Sequence, residues 1–154
     1  MRGGSIMEET DRFYVVAWWS SGRTGIAKSS AAPSAIHFTS PPVLGGLEGR
    51  WTPEDLLLAA IASSYTTTFR ILAENSNFEH TDLQVEVEGL IRSSEAAYSF
   101  AEVSIRANLM ILDEAEEARA LKLLHMAKDL CAVSRALAIR QVFEPLVTVA
   151  VPVA

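Results

Sequence analysis

At 154 residues the chain has room for one ordinary domain with a real core, and too little for two comfortable ones. Its residues are 49% hydrophobic and 21% charged, the balance of a soluble globular protein. A formal net charge of −6 without a local basic cluster argues against non-specific binding to nucleic acid or an anionic membrane, since neither surface attracts an acidic protein.

The N-terminus, Met1-Arg-Gly-Gly-Ser-Ile-Met7, lacks the apolar region of a signal peptide. Residues 1–10 read as a disordered segment, either tag-derived or lying ahead of a native start at Met7, and 11–154 read as a single domain. Arg12 to Trp19 is rich in β-branched and aromatic residues and predicts a strand. Ser20-Ser-Gly22 is a turn signal, after which Arg23 to Ser29 runs back antiparallel, and Ala35 to Thr39 is a weak third strand. Pro41-Pro42, Gly45-Gly46 and Gly49 form a loop.

A helix then starts sharply at the Thr52 N-cap. Pro53 fits the first helical position, and Glu54 and Asp55 complement the positive end of the dipole. Leu57, Ala60, Ile61, Ser64, Thr68 and Ile71 recur at helical spacing, and the neighbouring faces are also apolar or small, so this helix of about twenty residues should be buried on most sides. Its end falls near Asn75-Ser-Asn77. The longest apolar run, Leu56 to Tyr65, is about half of what a membrane span needs.

Leu83, Val85, Val87, Gly89 and Ile91 alternate with polar residues, and Ser99 to Ile111 repeats the alternation, which predicts two long strands in an antiparallel hairpin. Asp113 caps a second helix whose apolar stripe is Ala120, Leu123, Leu124, Ala127, Leu130 and Cys131. A shorter helix over Ser134 to Ile139 and a final strand over Phe143 to Val151 complete an α+β order, β-β-β-α-β-β-α-α-β. Two small sheets are modest cover for the first helix, so a partner chain should bury the rest, as a homodimer with a large apolar interface. One cysteine, Cys131, leaves no disulfide within the chain and fits a reducing cytoplasm.

Four features of this chain resemble the OsmC/Ohr family of thiol peroxidases, over about Arg12 to Val151. Gly22-Arg23-Thr-Gly25 is similar to the turn bearing the family's active-site arginine, and the Gly45-Gly46 loop before Pro53-Glu54 matches its Gly-rich approach to a Pro-Glu step. Ala59 to Tyr65 matches the reactive-cysteine helix, with Ser64 in the cysteine's place. Leu130-Cys131-Ala-Val-Ser134 resembles the second cysteine's segment, usually Cys-Pro-x-Ser, with Ala132 in place of proline.

The resemblance implies two antiparallel sheets around long central helices in an intertwined homodimer. It also implies a thiol site without cofactor or metal, with Ser64 at the peroxidatic position, Cys131 at the resolving position, and Arg23 and Glu54 beside them. Its partners would be an organic hydroperoxide and a dithiol reductant. Serine oxygen has no stable higher oxidation state and does not ionise near neutral pH, so weak or lost peroxidase activity is expected. The alternative is a non-catalytic dimer that binds a small hydrophobic ligand. Read without the resemblance, Ser64 is a small residue back-bonding within its helix, Arg23 a solvated turn residue, Glu54 a first-turn carboxylate and Cys131 a small hydrophobe. No Gly-x-Ser-x-Gly elbow surrounds Ser64, and His37, His80 and His125 are scattered, which argues against a hydrolytic serine or a metal site. Ten residues separate Glu54 from Ser64, roughly 15 Å along a straight helix. They share a site only across a bend or across two subunits.

Overall fold

The structure, a computed structural model, describes residues 11–151. The expectation of a disordered segment at residues 1–10 lies outside the described residues. The chain divides after Pro53 into two compact units.

The first unit is an antiparallel sheet in the order β1 (Val15–Ser21), β2 (Thr24–Ser29), β3 (Ile36–Phe38). The first strand starts at Val15, not Arg12. Gly22 turns β1 into β2 at φ 53, in the left-handed region where glycine carries no Cβ penalty. The buried Thr39 ties the unit together: its hydroxyl donates to the Arg23 carbonyl at 2.8 Å and accepts from the Leu47 N–H at 3.1 Å.

α1 (Pro53–Asn75) starts where the N-terminal signals place it, with Glu54 and Asp55 in the first turn. Its buried stripe within the second unit is Ile61, Tyr65, Phe69 and Ala73, four apart. Of the expected stripe of Leu57, Ala60, Ile61, Ser64, Thr68 and Ile71, Ile61 is wholly buried, Leu57, Ala60, Ser64 and Thr68 are half-buried and Ile71 is 56% exposed, so the stripe is corrected by a rotation of about one residue. Tyr65 and Phe69 bring more apolar area than Ser64 and Thr68, and the larger rings take the core. The opposite face, with Ser63, Thr66, Thr67 and Arg70, is exposed. At 23 residues, with an 18-residue stretch of mean hydropathy 1.4, α1 is also long and apolar enough to cross a membrane by length and composition, a test that core helices pass as well.

The second unit's sheet has the order β4 (Asp82–Ser93), β5 (Tyr98–Ile111), β6 (Arg140–Val149). β4 and β5 form the expected antiparallel hairpin, with Val85 opposite Ala107 and Val87 opposite Ile105. The expectation of wholly antiparallel sheets is corrected at β6, which pairs parallel with β5. Parallel neighbours need a long crossover, and here α2 (Glu117–Leu130) and α3 (Ala132–Arg135) supply it. Asp113 does cap, its Oδ1 accepting from the Ala115 N–H at 2.9 Å, but it caps a 3-10 turn over Glu114–Glu116 that precedes α2. The third helix is Ala132–Arg135 and not Ser134–Ile139. Leu137 and Ile139 instead leave the helix and pack on the cluster around Ile61, Val103 and Ile105. In α2, Ala120, Leu123, Leu124, Ala127 and the following Cys131 are buried as their spacing predicts, while Leu130 is 49% exposed.

Gly89 lets β4 lie close to its neighbours. A Cβ there would stand 2.5 Å from the Phe100 ring and 3.2 Å from Leu58. Gly89→Ala is expected to overpack this layer and cost about 1–3 kcal/mol in thermal or urea unfolding. An unchanged midpoint would refute the close approach.

Candidate functional site

Ser64 and Cys131, 67 positions apart, meet. The Cys131 thiol donates to Ser64 Oγ at 3.3 Å. α1 carries Ser64 one residue before Tyr65, half-buried at the edge of the core stripe. Cys131 sits wholly buried at the break between α2 and α3, with extended backbone (φ −61, ψ 107). That break turns the backbone N–H groups of Val133 and Ser134 toward the sulfur. Burial pushes the Cys131 thiol up. The hydroxyls of Ser134 and Ser64 and the N–H groups of Ser134 and Val133 outweigh it, so the thiol is held below its ordinary value.

Tyr65 links the two helices next to this contact. It is wholly buried, and its hydroxyl donates to the Leu124 carbonyl in α2 at 2.9 Å, with its ring 5.7 Å from that of Phe143. Burial, then the nearby Cys131 charge, raises its phenol well above the usual range. On the other side of Cys131, the Gln141 amide donates to the Ser134 carbonyl at 2.8 Å. Gln141 Oε1 is buried and has no hydrogen-bond partner among the described residues.

Of the other two expected site residues, Glu54 belongs to the second unit and Arg23 to the first. Glu54 lies ten positions before Ser64 on the same unbroken helix, roughly 15 Å along its axis, so one copy of α1 does not bring them together. Its Oε2 is buried without a hydrogen-bond partner among the described residues. Arg23 is exposed at the β1–β2 turn of the first unit, where its Nη1 donates to the Gly45 carbonyl at 3.2 Å. The Gly22–Gly25 turn and the Gly45-Gly46 loop, separate in sequence, are thus joined. Gly46 is required there, because a Cβ would fall 1.6 Å from the Ser40 carbonyl oxygen.

Sequence reasoning did not assign roles to the Tyr65 hydroxyl, Ser134 or Gln141. Tyr65 and Ser134 lie inside the motifs and were open to notice, whereas Gln141 carries no sequence signal. His80 is engaged with the rings of Phe69 and Phe78, and His125 packs edge-on against Phe143. Among the described residues there is no group of three or more His, Cys, Asp or Glu side chains that could hold a metal ion. At the Ser64–Cys131 contact one thiol faces one hydroxyl.

The model of the OsmC-like protein family matches residues 46–144, a span that includes Glu54, Ser64 and Cys131. The Bacillus subtilis protein YmaD is 27% identical over 128 residues, covering 81% of this chain and 85% of YmaD. Among solved structures, an OsmC-like protein of unknown function from Vibrio cholerae superposes with a TM-score of 0.78 at 15% identity, over 89% of this chain and all of that one. An organic hydroperoxide resistance protein from Elizabethkingia anophelis gives 0.72 at 20% identity, over 94% of this chain and 100% of the other. At such identities the superpositions establish the shared α+β fold. With more than half of its length matched by the family model, the chain belongs to the OsmC-like protein family.

Proposed function

We propose that this protein is kin to the thiol-dependent hydroperoxide reductases of oxidative-stress defence, with Ser64 at the peroxidatic position and peroxidase activity weak or lost. The single observation that carries this reading is the 3.3 Å contact between Ser64 Oγ and the Cys131 thiol, the pairing expected of the peroxidatic and resolving positions. A thiolate at position 64 would attack the distal oxygen of a hydroperoxide, releasing the alcohol and leaving a sulfenic acid. Cys131 would then displace water to close a disulfide, which a dithiol reopens. A serine oxygen takes neither step, and Cys131 is left with nothing to resolve.

The protein works as a homodimer in this proposal, in a reducing cytoplasm that suits its single thiol. The exposed face of α1, with Ile71 56% exposed, and the exposed Trp18 and Trp19 of β1 favour a covering copy. The unbroken α1 also favours a site shared between copies, with Glu54 contributed across the interface. The bare Oε2 of Glu54 is an acceptor of the kind an active-site arginine needs. Sedimentation of the purified chain through a dilution series tests this part. A dimer persisting at micromolar concentration is expected, and a stable monomer there would contradict it.

A further inference from the structure

We infer that Tyr65 is a positioning residue, its hydroxyl acting as a strut that holds Ser64 against Cys131. The inference rests on the reading of positions 64 and 131 as a paired site. Tyr65 follows Ser64 directly on α1 and reaches across to the Leu124 carbonyl at 2.9 Å. Leu124 lies two turns before Cys131, on the same buried stripe of α2. The strut thus grips the helix that delivers Cys131, while the neighbouring residue meets the sulfur itself at 3.3 Å.

A second polar tie between these segments lies away from the site. Arg119 donates to the Ser76 carbonyl just past the end of α1 and stacks over Phe78. That clasp fixes the far end of the helix pair and not the level of Ser64. The phenol is wholly buried, and its ring is held against Phe143, so little freedom remains in the strut. A phenylalanine would fill the same core volume. The choice of tyrosine therefore adds a tie, not bulk.

The test uses a Ser64→Cys chain equilibrated with reduced and oxidised glutathione. Oxidised glutathione accepts two electrons and leaves as two thiols while a disulfide closes between the introduced thiol and Cys131, so the equilibrium gives the effective concentration of one sulfur at the other. Adding Tyr65→Phe is expected to lower that concentration about fivefold, the scale of one buried neutral hydrogen bond. Gly89→Ala, which overpacks β4 against Phe100 and Leu58, is expected to lower thermal stability but leave the effective concentration unchanged. A disulfide that closes equally well with Tyr65→Phe overturns the strut while leaving the site pairing intact. Failure of the Ser64→Cys chain to form any disulfide overturns both.

Discussion

Ser64→Cys is expected to raise turnover of cumene hydroperoxide with a dithiol reductant by at least about 10²-fold over the native chain. That is a small part of the roughly 10⁶ that a hydrolase loses with its nucleophile. The sulfur would enter a site already shaped for it. Cys131 stands 3.3 Å from the position of the attacking atom, and the hydroxyl of Ser134 and the N–H groups of the α2–α3 break already favour its thiolate. With Cys131→Ala added and hydroperoxide supplied without the dithiol, the sulfenic acid at position 64 should persist and no intrachain disulfide should close. The gain in turnover should fall with Glu54→Gln if the carboxylate holds an arginine at the site. A folded Ser64→Cys chain that closes its disulfide but turns over no hydroperoxide would show that Arg23 and Glu54 do not complete the centre.

Phe69→Ala carries the largest expected loss of stability. Phe69 is wholly buried, one turn after Tyr65 on α1, in the cluster that also contains Leu109, Leu124 and Cys131. Truncating a phenylalanine in such a place removes its transfer free energy and leaves a void that the surrounding sheet and helix fill only in part. About 3–5 kcal/mol should be lost, a large share of the roughly 5–15 kcal/mol that typically holds a domain folded. The thermal midpoint should drop by roughly 10 °C or more, with His80 losing its edge-on neighbour at the same time. A drop of only a degree or two would mean that α1 is not the central element of the second unit.

Much of this was legible in the residues. The Thr52-Pro-Glu start marks α1 correctly because capping and dipole preferences act within one turn and need no tertiary context. The β4–β5 hairpin was legible because period two fixes both the strand and its inward face. The direction of β6 was not, since alternation is the same read either way, and only the α2–α3 crossover decides it. The α1 stripe is displaced by one residue from its expected place, because a helix with small residues on every face offers several stripes. The rings of Tyr65 and Phe69 choose among them only when the sheet is present.

At the site, the pairing of Ser64 with Cys131 came from motif resemblance alone. No spacing rule links residues 67 positions apart, and the contact between them is a property of the folded second unit. The same holds for Gln141, whose place beside the Ser134 carbonyl depends on where β6 begins. Glu54 and Arg23 were legible only through the family resemblance, and it is the proposed dimer that would bring Glu54 to the site from a second copy of the chain.

We propose that the chain carries a peroxidase site silenced at a single atom, the oxygen of Ser64. The most direct measurement mixes native protein in excess with cumene hydroperoxide in a single-turnover experiment and follows the hydroperoxide that remains. The hydroperoxide is expected to persist as it does with the Cys131→Ala chain. Rapid consumption by the native protein would contradict it, because a centre with serine at position 64 would then be reducing peroxide after all.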